Sequence, residues 1–141
     1  MISQGKELSS DNRFALEAAT IIIEIAKQSH HSLVKTHAAK VLSLAITTDT
    51  EVIESVASLM ADMCGRDAAC AEVAIKGLSR GISIAARPTN TVAKAIVTLC
   101  KNAPTTTVKK VGIAVLRQGI TANTRPSTAA CAAAIREISQ I

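Results

Sequence analysis

The sequence predicts an all-α protein, a right-handed α-solenoid of about three helical hairpins with a leading cap helix, seven helices in all. Two observations predict this fold. The segments 72–89 (EVAIKGLSRGISIAARPT) and 110–127 (KVGIAVLRQGITANTRPS) share the frame V-x-I-x-x-L-x-x-G-I-x-x-x-x-R-P, displaced by 38 residues. Within each copy the apolar residues recur at the three- and four-residue spacing of amphipathic helices. Because one hairpin cannot bury its apolar faces alone, repeated hairpins are expected to stack.

The matching positions lie in phase along the two segments. They are Val73/Val111, Ile75/Ile113, Leu78/Leu116, Gly81/Gly119, Ile82/Ile120, Arg87/Arg125 and Pro88/Pro126. Weaker matches extend the period, which gives hairpins at 31–64, 66–102 and 106–141 behind a cap helix within 1–30. The alternative is a compact helical bundle, in which similar segments reflect a bias towards Ala, Val and Ile. We favour the solenoid because the glycine and the Arg-Pro pair recur together.

The first three helices are expected at 11–28, 32–45 and 51–64. A serine at position 9 or 10 is expected to cap the first helix, and the segment TTDT supplies turn and cap chemistry before the third. Apolar residues at helical spacing predict the inward faces. These are Phe14, Ala18, Ile21, Ile22 and Ile25 in the first helix and Val34, Ala38, Val41, Leu42 and Ala45 in the second. The polar start of the chain fits a terminal cap, which a solenoid needs for solubility.

The other four helices are expected at 66–80, 88–101, 105–118 and 126–141. The repeated glycines, Gly81 and Gly119, are each expected to end a helix, followed by an apolar contact. One of the three threonines at the start of the sixth helix is expected to cap it. The repeated prolines, Pro88 and Pro126, are expected to begin helices, because proline is tolerated in a first helical turn.

Paired helices in a unit of about forty residues resemble HEAT and armadillo repeats, which are families of interaction scaffolds. The resemblance covers about 110 residues and rests on the period and the helix pattern. In HEAT repeats a proline typically falls in the first helix, whereas Pro88 and Pro126 open the second helix of each unit. The resemblance implies a non-catalytic helical-repeat scaffold that binds proteins.

The composition narrows the classes of function. Phe14 is the one aromatic residue among 141, so ring-lined ligand pockets and base-stacking platforms are poor expectations. No run of about twenty apolar residues is present, and we expect no membrane span. The segment MISQGKELSSDNRF lacks the apolar core of a secretory signal, so we expect a soluble, cytoplasmic protein.

The four cysteines, Cys64, Cys70, Cys100 and Cys131, are expected to be buried free thiols, because the cytosol keeps thiols reduced. The pair Cys64 and Cys70 is the exception to consider. It straddles a predicted turn between helices and can close a small loop if oxidised. Cys100 and Cys131 fall at different heights on neighbouring helices, so we expect them to remain unpaired.

No motif for catalysis or cofactor binding is present in the sequence. It lacks the G-x-S-x-G nucleophile turn and the Gly-rich loops that hold phosphates. His30, His31 and His37 have no metal-ligand spacing and are expected to be solvated residues in and near a turn. Glu51 and Glu54 lie three residues apart, but a solvated first helical turn explains them more simply than acid–base chemistry. We expect no enzyme, no metal, no cofactor and no small-molecule substrate.

The charge is distributed unevenly along the chain. Up to Glu72 there are six basic and ten acidic residues, a net charge of −4, and beyond it ten basic residues and one acid, a net charge of +9. This asymmetry suggests an acidic partner for the C-terminal half, or head-to-tail contact between copies. The small residues of 129–134 (AACAAA) leave the last helix without a bulky polar cap, so another chain can cover it.

Nine basic residues are candidates for binding an anion or a partner, because several recur at four- and seven-residue steps that place them on one side of a helix. They are Lys76, Arg80, Arg87, Lys94, Lys101, Lys109, Lys110, Arg117 and Arg125. Their simplest explanation is that they keep an apolar solenoid soluble.

Together these observations predict a non-catalytic interaction or assembly module that binds an acidic protein segment or a second copy of itself. The alternative is nucleic-acid binding through phosphate contacts by eight of these residues, all except Lys76, with Arg87 and Arg125 one repeat apart on one edge of the superhelix.

Overall fold

A computed structural model of the chain describes residues 10–29, 31–47, 49–82, 86–121 and 125–141. Within these ranges the secondary structure consists of seven α-helices and one 3-10 turn, Ser79–Gly81, without a strand. The helices are α1 (Ser10–Ser29), α2 (Ser32–Ser43), α3 (Thr50–Cys64), α4 (Ala68–Leu78), α5 (Ala86–Asn102), α6 (Thr106–Thr121) and α7 (Arg125–Ser139). The predicted all-α class is confirmed, and every expected helix is present.

Polar side chains directly before three of the helices cap their N-termini. The Asp49 carboxylate accepts hydrogen bonds from the backbone amides of Glu51 at 2.9 Å and Val52 at 3.3 Å at the start of α3. Asp67 accepts from the amide of Cys70 at 3.1 Å at the start of α4. Thr105 Oγ1 accepts from the amide of Val108 at 3.2 Å at the start of α6. Each cap satisfies amides that the first helical turn leaves without a partner, which fixes where the helix begins.

The helices pack in two rows. The odd row consists of α1, α3, α5 and α7, each in contact with the next, and the even row consists of α2, α4 and α6. Helices that follow one another in the chain contact each other across the two rows. This packing is that of a helical bundle or of stacked hairpins.

The core lies between the rows and is almost entirely aliphatic. Its largest fully buried side chains come from both rows, including Ile53, Met60, Ile75, Leu78, Ile96, Leu99, Leu116 and Ile138. Burying a side chain of this size stabilises a fold by roughly 1.5–3 kcal/mol, so this layer is the main favourable contribution to folding.

Of the two repeated glycines, Gly81 ends its helical segment as predicted, whereas Gly119 does not. Gly81 lies at the end of the 3-10 turn and Gly119 lies inside α6, and neither has a positive φ angle. A Cβ atom on Gly81 would lie 2.8 Å from Val92 Cγ2 and 2.9 Å from Ile53 Cδ1, and one on Gly119 would overlap Cys131 Sγ. Both glycines therefore let a helix of the odd row, α5 or α7, approach closely. A glycine after an apolar run fits either role, which is why the sequence pattern misled.

The two copies of the repeat also differ in local conformation. After α4 the chain passes through the 3-10 turn and becomes extended at Ile82, whereas the equivalent stretch continues as α-helix to Thr121. The residues that follow each glycine, 83–85 and 122–124, lie outside the described ranges. The two copies of the repeat therefore resemble each other more in the contacts between their helices than in the turns at the glycines.

The turn between α3 and α4 is closed by a disulfide bond between Cys64 and Cys70, whose Cα atoms are 5.3 Å apart. Gly65 ends α3 with a φ of +50°, and its amide donates to the Ala61 carbonyl oxygen at 3.1 Å. This left-handed residue suits glycine and reverses the chain tightly enough for the two sulfur atoms to meet. The expectation of four free thiols is therefore wrong for this pair. Cys100 and Cys131 are free and buried, and their predicted lack of pairing is confirmed.

The predicted inward face of α1 is wrong for two of its isoleucines, whereas Ile22 is half-buried and packs against the core. Ile23 and Ala26 are buried, whereas Ile21 is 61% and Ile25 is 58% exposed. Val41 of α2, also predicted to face inward, is 45% exposed. These two helices lie at the first positions of their rows and have a neighbour in the same row on one side alone. A run of isoleucines offers two alternative apolar stripes, and the stripe that faces α3 is the buried one. The side chain of Phe14 lies outside the part of the chain that is described.

The contact between α2 and α4 depends on Gly77. A Cβ atom there would overlap Ser43 Oγ and lie 2.6 Å from Ser43 Cβ. The Ser43 hydroxyl is occupied within its own helix, where it donates to the Ala39 carbonyl oxygen at 2.8 Å. The two helix backbones therefore approach as closely as these two residues permit.

We expect Gly77→Ala to destabilise the protein by about 1–3 kcal/mol, because overpacking outweighs the roughly 1 kcal/mol by which alanine favours a helix. Thermal unfolding followed by circular dichroism measures this. In a Ser43→Gly background the same change should be neutral or stabilising. An equal loss in both backgrounds would show that the close contact is not the cause.

We expect reduction of the Cys64–Cys70 disulfide to lower the free energy of unfolding by about 2 kcal/mol, the chain-entropy value for a loop this short. Urea unfolding with and without a phosphine reductant measures the difference. A Cys64→Ser/Cys70→Ser variant is the control and should be unaffected by the reductant. A wild-type chain that is equally insensitive would contradict the structural role of the bond.

Candidate functional site

The central helix of the odd row, α5, presents a polar ridge to solvent. Arg87, Lys94 and Lys101 are exposed and follow one another at seven-residue steps, so they lie on one side of the helix. Thr98 is exposed between the two lysines, and its hydroxyl donates to the Lys94 carbonyl oxygen at 3.1 Å. Because the threonine hydroxyl is occupied by its own helix, the lysine ammonium groups dominate the chemistry of the ridge.

A groove runs along each side of this ridge. The groove between α5 and α7 has a volume of about 340 Å³, and the groove between α3 and α5 about 230 Å³. Lys94 and Thr98 border both of them. We call this surface the odd face, defined as the α5 ridge together with its two flanking grooves.

Alanine is the commonest residue that lines the odd face, with six of the fourteen lining residues. The alanines are Ala93, Ala130, Ala133 and Ala134 in one groove and Ala57 and Ala95 in the other. Side chains this small leave shallow channels in which the backbone of a bound chain can approach the helices. The small residues of 129–134 were expected to be covered by another chain, and their place beside α5 could not be read from the sequence.

The charges of the odd face are mixed, with one unpaired cation at the centre. Lys101 Nζ lies 3.5 Å from Glu137 Oε2 of α7, and both side chains are more than half exposed. Such an exposed ion pair contributes about 0–1 kcal/mol, so it can exchange for another partner. Among the described residues Lys94 has no acidic side chain within ion-pair distance. Lys94 is therefore the cation most available to a ligand.

The structure divides the nine predicted basic residues between the two rows. Arg87, Lys94 and Lys101 belong to α5, whereas Lys76 and Arg80 lie on α4 and its 3-10 turn, and Lys109, Lys110 and Arg117 lie on α6. The side chain of Arg125 lies outside the described residues, so the predicted shared edge with Arg87 does too. Lys76, Arg80 and Arg87 are spaced four and seven residues apart, but they do not form one stripe along a helix, because Arg87 lies on the next helix, α5.

Lys109 is engaged within the fold. Its side chain is half-buried, and Nζ donates to the carbonyl oxygen of Ile141 at 3.3 Å. It thereby holds the end of the chain beside the start of α6. Lys76, Lys110 and Arg117 are exposed on the even row.

Two acidic residues, Glu54 and Glu137, border the grooves of the odd face, and the sequence did not identify them as part of the site. Glu137 nevertheless follows Ala130, Ala133 and Ala134 at helical spacing.

The free cysteines take no part in the odd face. Cys100 packs beneath α6, where its thiol lies 3.9 Å from the Val108 carbonyl oxygen, and burial raises its pKa to about 11, with the Lys109 charge lowering it slightly. Burial also raises the pKa of Cys131. Both thiols are therefore protonated near neutral pH and poor nucleophiles.

The histidines do not form a cluster of ligands. His31 precedes α2 and His37 is exposed on that helix, while His30 lies outside the described residues. No group of three potential metal ligands occurs in the parts of the chain that are described.

Of the helices in the described parts of the chain, none combines the length and the apolar character that crossing a membrane requires. Comparison of the chain with protein-family models and with curated proteins gives no match.

We expect the thiols of Cys100 and Cys131 to resist alkylation by iodoacetamide at pH 8, because both are buried and protonated. The pKa of Cys100 is about 11 in the folded chain and near 9.0 for an unperturbed thiol. Because the folded chain holds this proton more tightly, the thiol's contribution to stability is fully present below pH 9 and is lost as the pH rises through about 11. Intact-mass measurement should show no added label when native and two labels in guanidinium. Rapid labelling of the native chain would contradict the burial.

Proposed function

We propose that the protein is a non-catalytic interaction module, a right-handed α-solenoid of helical hairpins of the kind that HEAT and armadillo repeats form, which binds an acidic segment of a partner protein along its odd face. The observation that carries the proposal is the Lys94–Lys101 ridge between two alanine-lined grooves. A positive ridge recognises acidic side chains, and shallow channels admit an extended backbone.

The contacts between helices support stacked hairpins. Each row adds its helices in chain order, as expected when hairpins follow one another in one direction. In each of two successive hairpins the repeated glycine contacts the second helix at a similar position, Gly81 at Val92 and Gly119 at Cys131; the glycines are 38 residues apart and their partners 39. A bundle with accidental sequence similarity has no reason to reproduce this pairing.

The spacing of the ridge suggests what an acidic ligand would look like. Residues seven apart on a helix rise about 10.5 Å along its axis, so Arg87, Lys94 and Lys101 form a ladder of that period. A peptide in the polyproline II conformation has three residues per turn and rises roughly 9 Å in three residues, so every third side chain lies on the same side. Acidic side chains at every third position of a bound segment would therefore meet successive rungs. No catalytic step and no cofactor is part of this function.

Nucleic-acid binding is the second candidate, because exposed cations also lie on the even row. Lys76, Arg80, Lys110 and Arg117 are exposed on α4 and α6 and can neutralise phosphates. Without aromatic residues beyond Phe14, such binding would rest on backbone phosphates and read little sequence. The predicted cations are divided between the two rows, so fewer of them can line one phosphate backbone, and this candidate is weaker.

We expect a fluorescein-labelled twelve-residue peptide with glutamate at every third position to bind at low salt, and Lys94→Glu to weaken it at least tenfold. Loss of one charge-assisted contact and the added repulsion give about 1.4 kcal/mol or more. Fluorescence anisotropy measures the dissociation constant. Lys76→Glu makes the same charge change on the even row and is the matched control, expected to leave the affinity within twofold.

The same titration with a labelled 20-base-pair DNA duplex separates the two candidates. Binding of the duplex that is lost in Lys110→Glu/Arg117→Glu, with no binding of the peptide, would replace the proposal by phosphate recognition. If neither the peptide nor the duplex binds at low salt, both candidate functions are contradicted.

A further inference from the structure

The large apolar side chains that this protein exposes are concentrated at one end of the two rows. Of the six in the described parts of the chain, four belong to α1 and α2, and a fifth, Leu44, directly follows α2. They are Ile21, Ile25, Leu33, Val41 and Leu44, with Leu33 and Leu44 about 70% exposed. We call this surface the leading end. A contiguous exposed patch of this kind marks an interaction site more often than singly scattered side chains do.

Side chains of the leading end point away from the rest of the chain. On α1, Lys27 forms an ion pair with Asp62 of α3, and Ile25 lies about 160° around the helix from Lys27. On α2, Ser43 faces Gly77 of α4, and Val41 lies about 160° around from Ser43. Ile25 and Val41 are thus on the sides where a preceding helix of each row would lie, whereas Leu33 and Leu44 lie about 80° and 100° around α2 from Ser43, at the margin of this surface.

The opposite end of the odd row has the complementary shape. On α7, Ala134 faces the groove beside α5, and both Ala132 and Arg136 lie about 160° around the helix from it. Ala129 and Arg136 are exposed, and Ala132 is half-buried. We call Ala129, Ala132 and Arg136 the trailing end. It offers small side chains around one exposed cation.

We infer that the leading end of one copy docks on the trailing end of another, so that α1 continues the odd row after α7. The isoleucines of α1 are large where the alanines of α7 are small, which lets them interdigitate. Glu17 and Glu24 are exposed on α1 within about 60° of Ile21 around the helix, so this docking would bring acidic side chains to the margin of the surface that carries Arg136. The net charges of the two halves of the chain, −4 and +9, favour the same orientation.

Contacts inside the chain provide a precedent for this junction. Neighbouring helices of the odd row are already linked by ion pairs between Lys27 and Asp62 and between Lys101 and Glu137. A contact that joins two different surfaces leaves each copy with one free end, so assembly continues beyond the dimer unless a ring closes. The inference concerns a surface separate from the odd face and does not depend on peptide binding.

The test uses two variants of the full chain that block opposite ends. Ile21→Ser/Ile25→Ser removes the apolar contact at the leading end, and Ala129→Glu/Arg136→Glu places acids at the trailing end, opposite Glu17 and Glu24. Sedimentation velocity should show a wild-type mass that rises with concentration above the monomer value of 14.7 kDa. Each variant alone should be monomeric, with self-association weakened at least about a hundredfold. An equimolar mixture should give a 1:1 dimer that grows no further.

Other outcomes overturn the inference. A wild-type chain that stays monomeric at millimolar concentration excludes the contact. If the trailing-end variant still associates while the leading-end variant does not, leading ends pair with each other instead. Unchanged circular dichroism shows that the variants are folded, since the residues replaced are exposed. Lys94→Glu is the matched control and should assemble like the wild type, which separates this result from that of the peptide titration.

Discussion

Close approach of helix backbones is the constraint on which this structure depends. With a single aromatic residue in the chain, the core has no large rings to fill space between distant helices, so the helices must lie near one another. Glycine at positions 77, 81 and 119 makes that possible, because each would place a Cβ atom against a neighbouring helix. Branched aliphatic side chains then fill what remains between the rows.

The same small residues shape the surfaces proposed to bind partners. Alanine on the outer side of α5 and α7 forms the floor of the grooves, and alanine on the free side of α7 forms the trailing end. Neither surface is a deep pocket, which suits the recognition of a chain or a helix more than of a small molecule. Specificity on such surfaces depends on the few charges present, chiefly Lys94 on the odd face and Arg136 at the end of the row.

Much of the fold could be predicted from the sequence, because capping and periodicity are local properties. Asp49 and the threonines before α6 marked where helices begin, and the apolar spacing located every helix to within a few residues. Which stripe of α1 is buried could not be predicted, since the three consecutive isoleucines fit two stripes and only the position of α3 decides between them. The disulfide depended on the reversal at Gly65, a three-dimensional property of the turn.

The candidate site was predicted in part. Lys94 and Lys101 were identified because they share one helix, where a seven-residue step fixes their side. Arg80 and Arg87 were grouped by the same step, but that step runs from the 3-10 turn into α5, where helical geometry no longer relates the two residues. Glu137 was missed because its neighbours come from another helix, and one sequence carries no record of contacts between helices.

The arrangement in two rows has a consequence for how the chain reaches this structure. The principal contacts of each helix are with the next two helices along the chain, so few of them require distant segments to find each other. Low contact order of this kind goes with rapid folding, since little loop entropy is lost before contacts form. Adjacent hairpins can then act as independent nuclei, and native structure can spread from any of them towards both ends.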